Sequence, residues 1–422
     1  MRAVSASAET RVSRILICVS ALSLSACAVS PTAARSAPAR CTAETAALLD
    51  LEAAREAVQE HMPYPLGGGA TLEDAFRPLR TQAEAARTPA EHLRVLESFV
   101  FALADHHVGL NANSASSPRL VPTGSSVWAD HRDGNWVVTQ VRLGSAARRA
   151  GLREGMRITH VNGVTADELV LPPHVTGRSS AAAGFALRVA LAGTHDRDAV
   201  IVAEGQQGRI EARLGLVEQT PGALASLSFP SSGTALIRIN NSLGDGDLPV
   251  QFAALMSRAR KARVILLDLR DTPSGGDSSI AKPIMSWFVQ GERGYQRHRR
   301  GDREWVETVR GRRDRFEGRL IVLVDHWTGS MGEGLAIGLR SAAGATLVGT
   351  SMAGLRGAIE PFPLPCLSGV SIRMPVEQLF TMEGEPRESV TPDVIVSGSD
   401  LAAAGESDAI LAIAMRQASS GR

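Results

Sequence analysis

The chain has 422 residues with 45 basic and 44 acidic side chains, which gives a formal net charge of +1. This balance argues against a nucleic-acid-binding protein, because such proteins carry an excess of positive charge on the domain that binds. Hydrophobic residues make up 44% and charged residues 21%, which is typical of a globular protein with a buried core. The length allows about two to three domains.

Residues 1–26 predict a lipoprotein signal peptide. Arg11 and Arg14 precede an apolar run over residues 15–24 that is too short to span a bilayer. The run ends in Leu-Ser-Ala-Cys, which resembles the lipobox of bacterial lipoproteins and implies cleavage before Cys27 and lipidation of its thiol. We therefore expect an exported, periplasmic protein with its acyl anchor in a lipid bilayer and a flexible tether over residues 27–41. The alternative is a plain signal peptide in which Cys27 is incidental.

Export bears on the other cysteines. Cys18 is removed with the signal peptide and Cys27 carries the lipid, which leaves Cys41 and Cys366 in an oxidising compartment. These two residues either form a disulfide or remain as two free buried thiols.

Two regions of different character precede the largest domain. Residues 42–115 predict a helical domain, since apolar residues recur at helical spacing and Thr88 with Glu91 forms a capping box. Residues 120–217 predict a compact β-rich domain with a strand from Trp136, a short Ala-rich helix and an Asn-Gly turn. The order of motifs from Trp136 to Val164 closely resembles a PDZ domain, which implies a groove for a peptide end. The alternative is a PDZ-like domain that only packs against its neighbour.

Residues 225–400 alternate short apolar runs with helical patterns, which predicts an α/β core with a largely parallel sheet. A C-terminal helix or tail follows over residues 401–422. The basic, polar segment from Arg293 to Arg313 predicts a solvated excursion from this core.

Two segments at predicted strand ends can carry chemistry. Residues 268–276 end in Gly275-Gly276 after a buried strand, and paired glycines let backbone N–H groups point at an oxyanion. Ser330 lies among small residues between a predicted strand and a predicted helix, where its Oγ is exposed. Without further context, a helix N-cap is the more ordinary interpretation of Ser330, and the glycine pair is an ordinary turn.

Together these motifs resemble the carboxyl-terminal-processing and tricorn-core family of serine peptidases. The resemblance rests on Asp-Leu-Arg-x-x-x-x-Gly-Gly at 268–276, Gly-Ser-Met-Gly-Glu around Ser330, and Thr-Pro-Asp at 391–393. It spans nearly the whole mature chain and implies a crotonase-like βα spiral core, Ser330 as nucleophile and a peptide or protein as substrate.

Departures from the family pattern indicate which of the two catalytic branches of the family this sequence resembles. One branch uses a Ser-Lys dyad, but only two of the 45 basic residues are lysines, Lys261 and Lys282, and both precede Ser330. Arg356 occupies the corresponding loop, and an arginine does not give up its proton. The other branch uses Ser, His and an acidic residue, with the His in an Asp-x-His motif that matches residues 105–107. This match assigns His107 as general base, with His106 as its rival; the alternative is a histidine pair that only caps a helix end.

The resemblance also suggests the remaining site residues. Glu388 is assigned as the acidic residue that orients the imidazole, with Glu385 as the alternative and a solvated loop carboxylate as the ordinary interpretation. The oxyanion hole is assigned to the N–H of Gly275 or Gly276 together with that of Met331.

No spacing of Cys, His, Asp or Glu predicts a metal site, and no cofactor is expected. The sequence thus predicts an exported serine endopeptidase that acts through an acyl-enzyme. Two other functions remain: an inactive peptide-binding scaffold of the cell envelope, and hydratase or thioester chemistry on the crotonase-like core. The natural substrate and the oligomeric state stay open.

Overall fold

A computed structural model describes residues 41–66, 71–172, 175, 180–206, 208–215 and 223–420. The signal peptide, Cys27 and nearly all of the tether predicted for the N-terminus lie outside the described residues. Within these described ranges, no helix is both long and apolar enough to cross a membrane.

The first described region is a group of three helices followed by a short strand. The elements are α1 (Ala46–His61), α2 (Leu72–Ala85), α3 (Pro89–Leu103) and β1 (Gly109–Leu110). The predicted capping box begins α3, since the N–H of Glu91 donates to the side chain of Thr88 and the Glu91 carboxylate accepts from the N–H of Thr88. Apolar faces of the three helices pack together around Leu51, Leu96 and Phe99.

Residues 127–213 form an antiparallel sheet with two helices, referred to below as the second module. Its elements are β2 (Val127–Arg132), β3 (Asn135–Val141), α4 (Ala146–Arg149), β4 (Arg157–Val161), β5 (Val164–Thr165), α5 (Ala181–Ala192), β6 (Val200–Gly205) and β7 (Gly208–Arg213). The strand order is β2-β3-β4-β6-β7, with β5 on β4. The strand from Trp136, the short helix and the Asn162-Gly163 turn lie where the sequence predicts them.

The core is a six-stranded sheet that is parallel except at one edge. Its strands are β8 (Ala225–Ser231), β9 (Thr234–Ile239), β10 (Val264–Asp268), β13 (Arg319–Val324), β14 (Thr346–Gly349) and β17 (Val394–Ile395), in the order β17-β14-β13-β10-β9-β8 with β8 antiparallel. Its helices are α6 (Leu248–Ala259), α7 (Ser278–Met285), α8 (Met331–Ala343), α9 (Gly398–Ala404) and α10 (Ala409–Ser419). Helices α6 to α8 pack with one set of strand side chains, and α9 and α10 with another. The mixed α/β class is as predicted, and the last two helices complete the core.

A further antiparallel sheet contains the basic segment over residues 293–313. Its strands are β11 (Glu292–Arg300), β12 (Arg303–Arg310), β15 (Ala358–Pro363) and β16 (Ser371–Phe380), in the order β1-β16-β11-β12 with β15 also on β16. The segment over 293–313, predicted as a solvated excursion, is a β-hairpin in which most side chains are exposed or half-buried. Its charges are matched across strands, as in Arg297–Glu304 and Arg300–Glu360, so the hairpin has no apolar alternation to reveal it.

Cys41 and Cys366 are bonded to each other, with 325 residues of separation in sequence and Cα atoms 5.5 Å apart. The same loop is held by the buried carboxylate of Asp50 on α1, which accepts hydrogen bonds from the N–H groups of Cys366 and Leu367. The start of the described chain is thereby fixed to the loop between β15 and β16.

Candidate active site

Ser330 lies in the turn between the end of β13 and the start of α8. Its φ is +50° and its ψ is −111°, a region that residues other than glycine rarely adopt. Such strain at a strand-to-helix turn is typical of a serine whose Oγ is held outward for attack. Ser330 also occupies the N-cap position of α8 that was considered from the sequence, and its N–H donates to the carboxylate of Glu333 at 2.8 Å.

His107 meets this serine from the N-terminal helices. Helix α3 ends at Ala104, which is left-handed, and the carboxylate of Asp105 then accepts the N–H of His107 at 2.8 Å. Strand β1 follows at once and pairs with β16, so the segment is held on both sides. Nε2 of His107 lies 3.1 Å from Oγ of Ser330, although 223 residues separate them in sequence.

The other ring nitrogen fixes the tautomer. Nδ1 of His107 lies 2.5 Å from the carbonyl oxygen of Arg356. Because a carbonyl only accepts, Nδ1 carries the proton and Nε2 is free to accept the serine proton. Burial, and then the positive charge of Arg387, lower the pKa of His107 to about 4. The imidazole is therefore neutral at neutral pH.

His106 is directed elsewhere. Its Nε2 accepts a hydrogen bond from Arg188 of α5 at 3.2 Å, and its ring packs against Phe185 at an interplanar angle of 34° with centroids 4.5 Å apart. Burial lowers its pKa well below the usual value. Of the two histidines that the sequence left open, only His107 contacts Ser330.

The same contacts fill one edge of the second module. Strand β2 is the terminal strand of its sheet, the position where a PDZ domain adds a peptide strand. The guanidinium of Arg188 donates a hydrogen bond to the carboxylate of Asp130 on β2 at 2.8 Å, and it lies over the ring of Trp128. The space between β2 and α5 is thus occupied by side chains of this chain, including His106.

The structure does not pair either predicted acidic residue with His107. Within the described ranges, the buried Oε2 of Glu388 has no hydrogen-bond partner, and Glu385 lies 3.7 Å from Arg340. The physical reason lies in Arg387, whose guanidinium donates to the carbonyls of Leu355 and Gly357. This arrangement leaves the intervening carbonyl, that of Arg356, to face the imidazole.

Of the three N–H groups assigned to the oxyanion hole, two are available. Gly275 already donates its N–H to Thr272 at 3.0 Å, so its assignment as a donor is corrected. Among the hydrogen bonds of the described residues, none uses the N–H of Gly276 or Met331. Gly275 has another role: a Cβ on it would lie 2.5 Å from Cβ of Ser330, so only glycine allows this close approach.

Among the described residues, the remaining histidines and acids form no cluster with metal-binding geometry. In the part of the chain that the structure describes, no group of three or more His, Cys, Asp or Glu side chains could hold a metal ion. His326 stacks on Trp128 with centroids 4.6 Å apart, and burial lowers its pKa to about 3.

Part of the core matches a known protein family. Residues 233–396 match the family model of Peptidase family S41. The chain is a serine-type peptidase. No curated protein is similar enough in sequence to match it.

Solved structures resemble the peptidase over most of its length. The photosystem II D1 C-terminal processing protease is 15% identical with a TM-score of 0.54, covering 87% of this chain and 98% of its own. Mature CPAF is 14% identical with a TM-score of 0.60, covering 90% of this chain and 99% of its own. At these identities the likeness is evidence for the fold alone.

The sequence interpretation of the peptidase missed Glu333. This residue on α8 is fully buried, and its carboxylate accepts the N–H groups of Ser330 at 2.8 Å, Gly354 at 3.0 Å and Leu355 at 3.2 Å. Burial raises its pKa to about 7, against the lowering effect of Arg387 and these N–H groups. Glu333 therefore joins the serine turn to the loop that holds His107. The Ser-x-x-Glu spacing of a capping box was the available signal.

Proposed function

We propose that the peptidase is an endopeptidase in which Ser330 is the nucleophile and His107 the general base. The observation that carries this proposal is the 3.1 Å distance between Nε2 of His107 and Oγ of Ser330. The strained backbone of Ser330 and the neutral tautomer of His107 support it, because the pair needs an outward hydroxyl and an unprotonated Nε2.

In the first step, Nε2 of His107 takes the proton of Oγ as Oγ attacks the carbonyl carbon of the scissile peptide bond. The N–H groups of Met331 and Gly276 are the available donors for the oxyanion that develops. The imidazolium then gives its proton to the leaving amine, and an acyl-enzyme on Ser330 remains. Water, activated by the same imidazole, releases the acyl group.

We assign the orienting role to the carbonyl of Arg356 rather than to a carboxylate. The triad proposed from the sequence contained Glu388, and Glu388 still belongs to the cluster behind the imidazole, because its charge raises the pKa of Asp105. Its contribution in this proposal is electrostatic, without a hydrogen bond to the ring. The lowered pKa of His107 agrees with the absence of a bonded carboxylate.

We also propose that the second module is PDZ-like and serves to pack rather than to capture a peptide end. Its order of strand, short helix, strand and Asn-Gly turn supports the first part. The occupation of the β2 edge by Arg188 and His106 supports the second. The core is proposed to be a crotonase-like spiral.

Export as a lipoprotein remains part of the proposal. The lipobox-like sequence before Cys27 supports the anchor. The bond between Cys41 and Cys366 supports an oxidising compartment, since disulfides persist there and are rare in a reducing cytosol.

A fluorophosphonate probe, which phosphonylates an activated serine, tests the catalytic proposal. We expect the wild-type protein to be labelled, Ser330→Ala to remain unlabelled, and labelling of His107→Gln to fall by at least ~10³-fold. The matched control is Ser351→Ala, which removes an exposed hydroxyl from a neighbouring loop and leaves labelling unchanged. A wild-type protein that never labels would favour the scaffold function instead.

A further inference from the structure

The amide of Gln140 on β3 connects the second module to two loops of the core. Its side chain is buried, with 5% of the residue surface exposed. Nε2 donates to the carboxylate of Asp325 at 3.2 Å, and Oε1 accepts from the hydroxyl of Thr350 at 3.0 Å. One neutral side chain therefore satisfies a buried carboxylate and a buried hydroxyl at once.

The first of these loops ends at the nucleophile. The other carboxylate oxygen of Asp325 accepts the N–H of Trp327 at 2.9 Å, and the N–H of Asp325 donates to the hydroxyl of Thr328 at 3.0 Å. These bonds shape the turn that leads into Ser330. The position of the Asp325 carboxylate is thus coupled to the position of the serine.

The second loop carries the carbonyl that orients the base. The segment begins at Thr350 and continues through Gly354 and Leu355 to Arg356. The carbonyl of Arg356 accepts the hydrogen bond from Nδ1 of His107. The two loops are also bonded directly, since the N–H of Ala353 donates to the carbonyl of Thr328 at 3.0 Å. Gln140 lies at the point where both loops leave the parallel sheet.

Two more contacts reach the same region, one from the second module and one from the segment just before it. The indole N–H of Trp327 donates to the carbonyl of Ser125 at 2.7 Å. Arg142, two residues after Gln140, pairs with Asp271 in the loop that leads to Gly275. The module therefore contacts the loop of the serine, the loop of the base and the loop that leads to Gly275, and among the hydrogen bonds of the described residues Gln140 is the module residue that joins the first two.

We propose that Gln140 is a positioning residue for the peptidase reaction: its amide sets the distance between Ser330 and His107 by holding Asp325 and Thr350 together. This inference rests on the proposed function of Ser330 and His107. Reactions of this kind lose rate steeply when the reacting groups shift by about 1 Å. Without the amide, the buried carboxylate oxygen of Asp325 loses its partner and the Thr350 hydroxyl keeps only the carbonyl of Ser351 at 3.2 Å, so the two loops are no longer held together at this point.

The first test replaces the amide by an apolar group of similar size. Gln140→Leu is expected to lower the maximal rate of fluorophosphonate inactivation, kinact, by ~10–100-fold while KI stays within about threefold, since the serine shifts and the probe-binding surface does not. The matched control is Thr139→Val on the same strand. Thr139 is buried and, within the described ranges, its hydroxyl has no partner, so its loss leaves kinact unchanged. Circular dichroism and urea unfolding check that both variants are folded.

A second test exchanges the amide of Gln140 and the carboxylate of Asp325 and measures how kinact depends on pH. In Gln140→Glu, two carboxyls face each other and share a proton, so kinact is expected to fall as the pH rises from 6 to 9 and the second proton leaves. Burial already raises the pKa of Asp325 to about 7. In the double variant Gln140→Glu with Asp325→Asn, an amide again bonds a carboxylate, and we expect the wild-type profile to return within about threefold.

Charged groups around this pair are kept in all variants. Asp268 at the end of β10 and Arg270 just after it act on the charge of Asp325, as does Arg142, the residue after β3. The cavity beside Gln140 is also lined by charged residues of several elements: Arg148, Glu154, Arg238 and Asp408. Because none of them is changed, a pH dependence that appears in Gln140→Glu and disappears in the double variant belongs to the exchanged pair.

The outcomes separate this inference from the proposed function. Folded Gln140→Leu with wild-type kinact would overturn the positioning role, provided that Ser330→Ala is unlabelled. If Gln140→Leu does not fold, the comparison of Gln140→Glu with the double variant decides. A wild-type pH profile in Gln140→Glu alone would then overturn the positioning role of Gln140. Labelling that persists in Ser330→Ala would instead overturn the proposed function.

Discussion

The carbonyl oxygen of Arg356 lies 2.5 Å from Nδ1 of His107, at the position that a carboxylate occupies in a serine triad. A carbonyl fixes the tautomer and the ring orientation as a carboxylate does. It provides a dipole rather than a full charge, so it stabilises the imidazolium less. The imidazole of His107 is consequently well oriented and weakly basic, with a pKa lowered to about 4 by burial.

Replacement of Glu388 tests this arrangement. Because Glu388 makes no hydrogen bond to His107, we expect Glu388→Gln to lower the rate of fluorophosphonate labelling by less than about tenfold. A carboxylate bonded to the imidazole would instead contribute ~10⁴-fold. Glu385→Gln, at a carboxylate that lies beside Arg340, serves as the control. A loss of about 10³-fold or more in Glu388→Gln would approach the ~10⁴-fold effect of a bonded carboxylate. It would show that Glu388 is the third member of a Ser-His-Glu triad.

The pH profile follows from the lowered pKa of His107. The reaction needs the neutral imidazole, so the rate falls only when the pH drops through the pKa of the folded enzyme. We expect the acid limb of labelling to lie below pH 6.5, the usual histidine value, and toward pH 4. Initial labelling rates between pH 4 and 8, on protein that stays folded, measure it. A midpoint at or above pH 6.5 would contradict this assignment.

Gly275 is predicted to tolerate no side chain. A Cβ would lie 3.0 Å from Oγ of Ser330 and 3.2 Å from the N–H nitrogen of Met331, and φ at this position is +65°. Gly275→Ala should therefore reduce labelling by more than ~100-fold, because the nucleophile is displaced. Gly291→Ala is the matched control, since φ there is +68° and a Cβ meets nothing within 4 Å. Equal losses of labelling in Gly275→Ala and Gly291→Ala would show that backbone strain, and not the contact with Ser330, causes the loss.

The bond between Cys41 and Cys366 is expected to stabilise the folded protein. It closes a loop of 325 residues, and cross-links of this kind contribute about 2–4 kcal/mol to the free energy of unfolding, largely by restricting the unfolded chain. Urea unfolding with and without a reductant measures this difference. Cys41→Ser should unfold like the reduced wild type and show no effect of the reductant. Identical wild-type curves in both conditions would contradict the prediction.

The predicted lipid anchor is tested at Cys27. The wild-type protein should sediment with membranes and partition into detergent, whereas Cys27→Ser should lose incorporation of a labelled fatty acid and appear in the soluble fraction. Cys18→Ser, which changes a residue of the removed signal peptide, is the control and should remain lipidated. Unchanged fatty-acid incorporation in Cys27→Ser would exclude this anchor.

Local sequence patterns determined most of the core. Buried strands such as β10 and β13 are continuous apolar runs, and helix α3 begins at a capping box, so their positions follow from neighbouring residues alone. The absence of a lysine after Ser330 likewise excluded a Ser-Lys dyad in its usual place, from chemistry that needs no coordinates. The prediction of a serine-type peptidase is confirmed at this level.

Only the tertiary structure decided which groups meet. His106 and His107 are neighbours in sequence, and the pairing of β1 with β16 and the bond from Arg188 to His106 determine that His107 faces Ser330. The carbonyl of Arg356 has no side-chain signature, since every residue has one. Its direction depends on Arg387, 31 positions later. Contacts of this kind depend on long-range packing, and a local pattern of residue types does not contain that information.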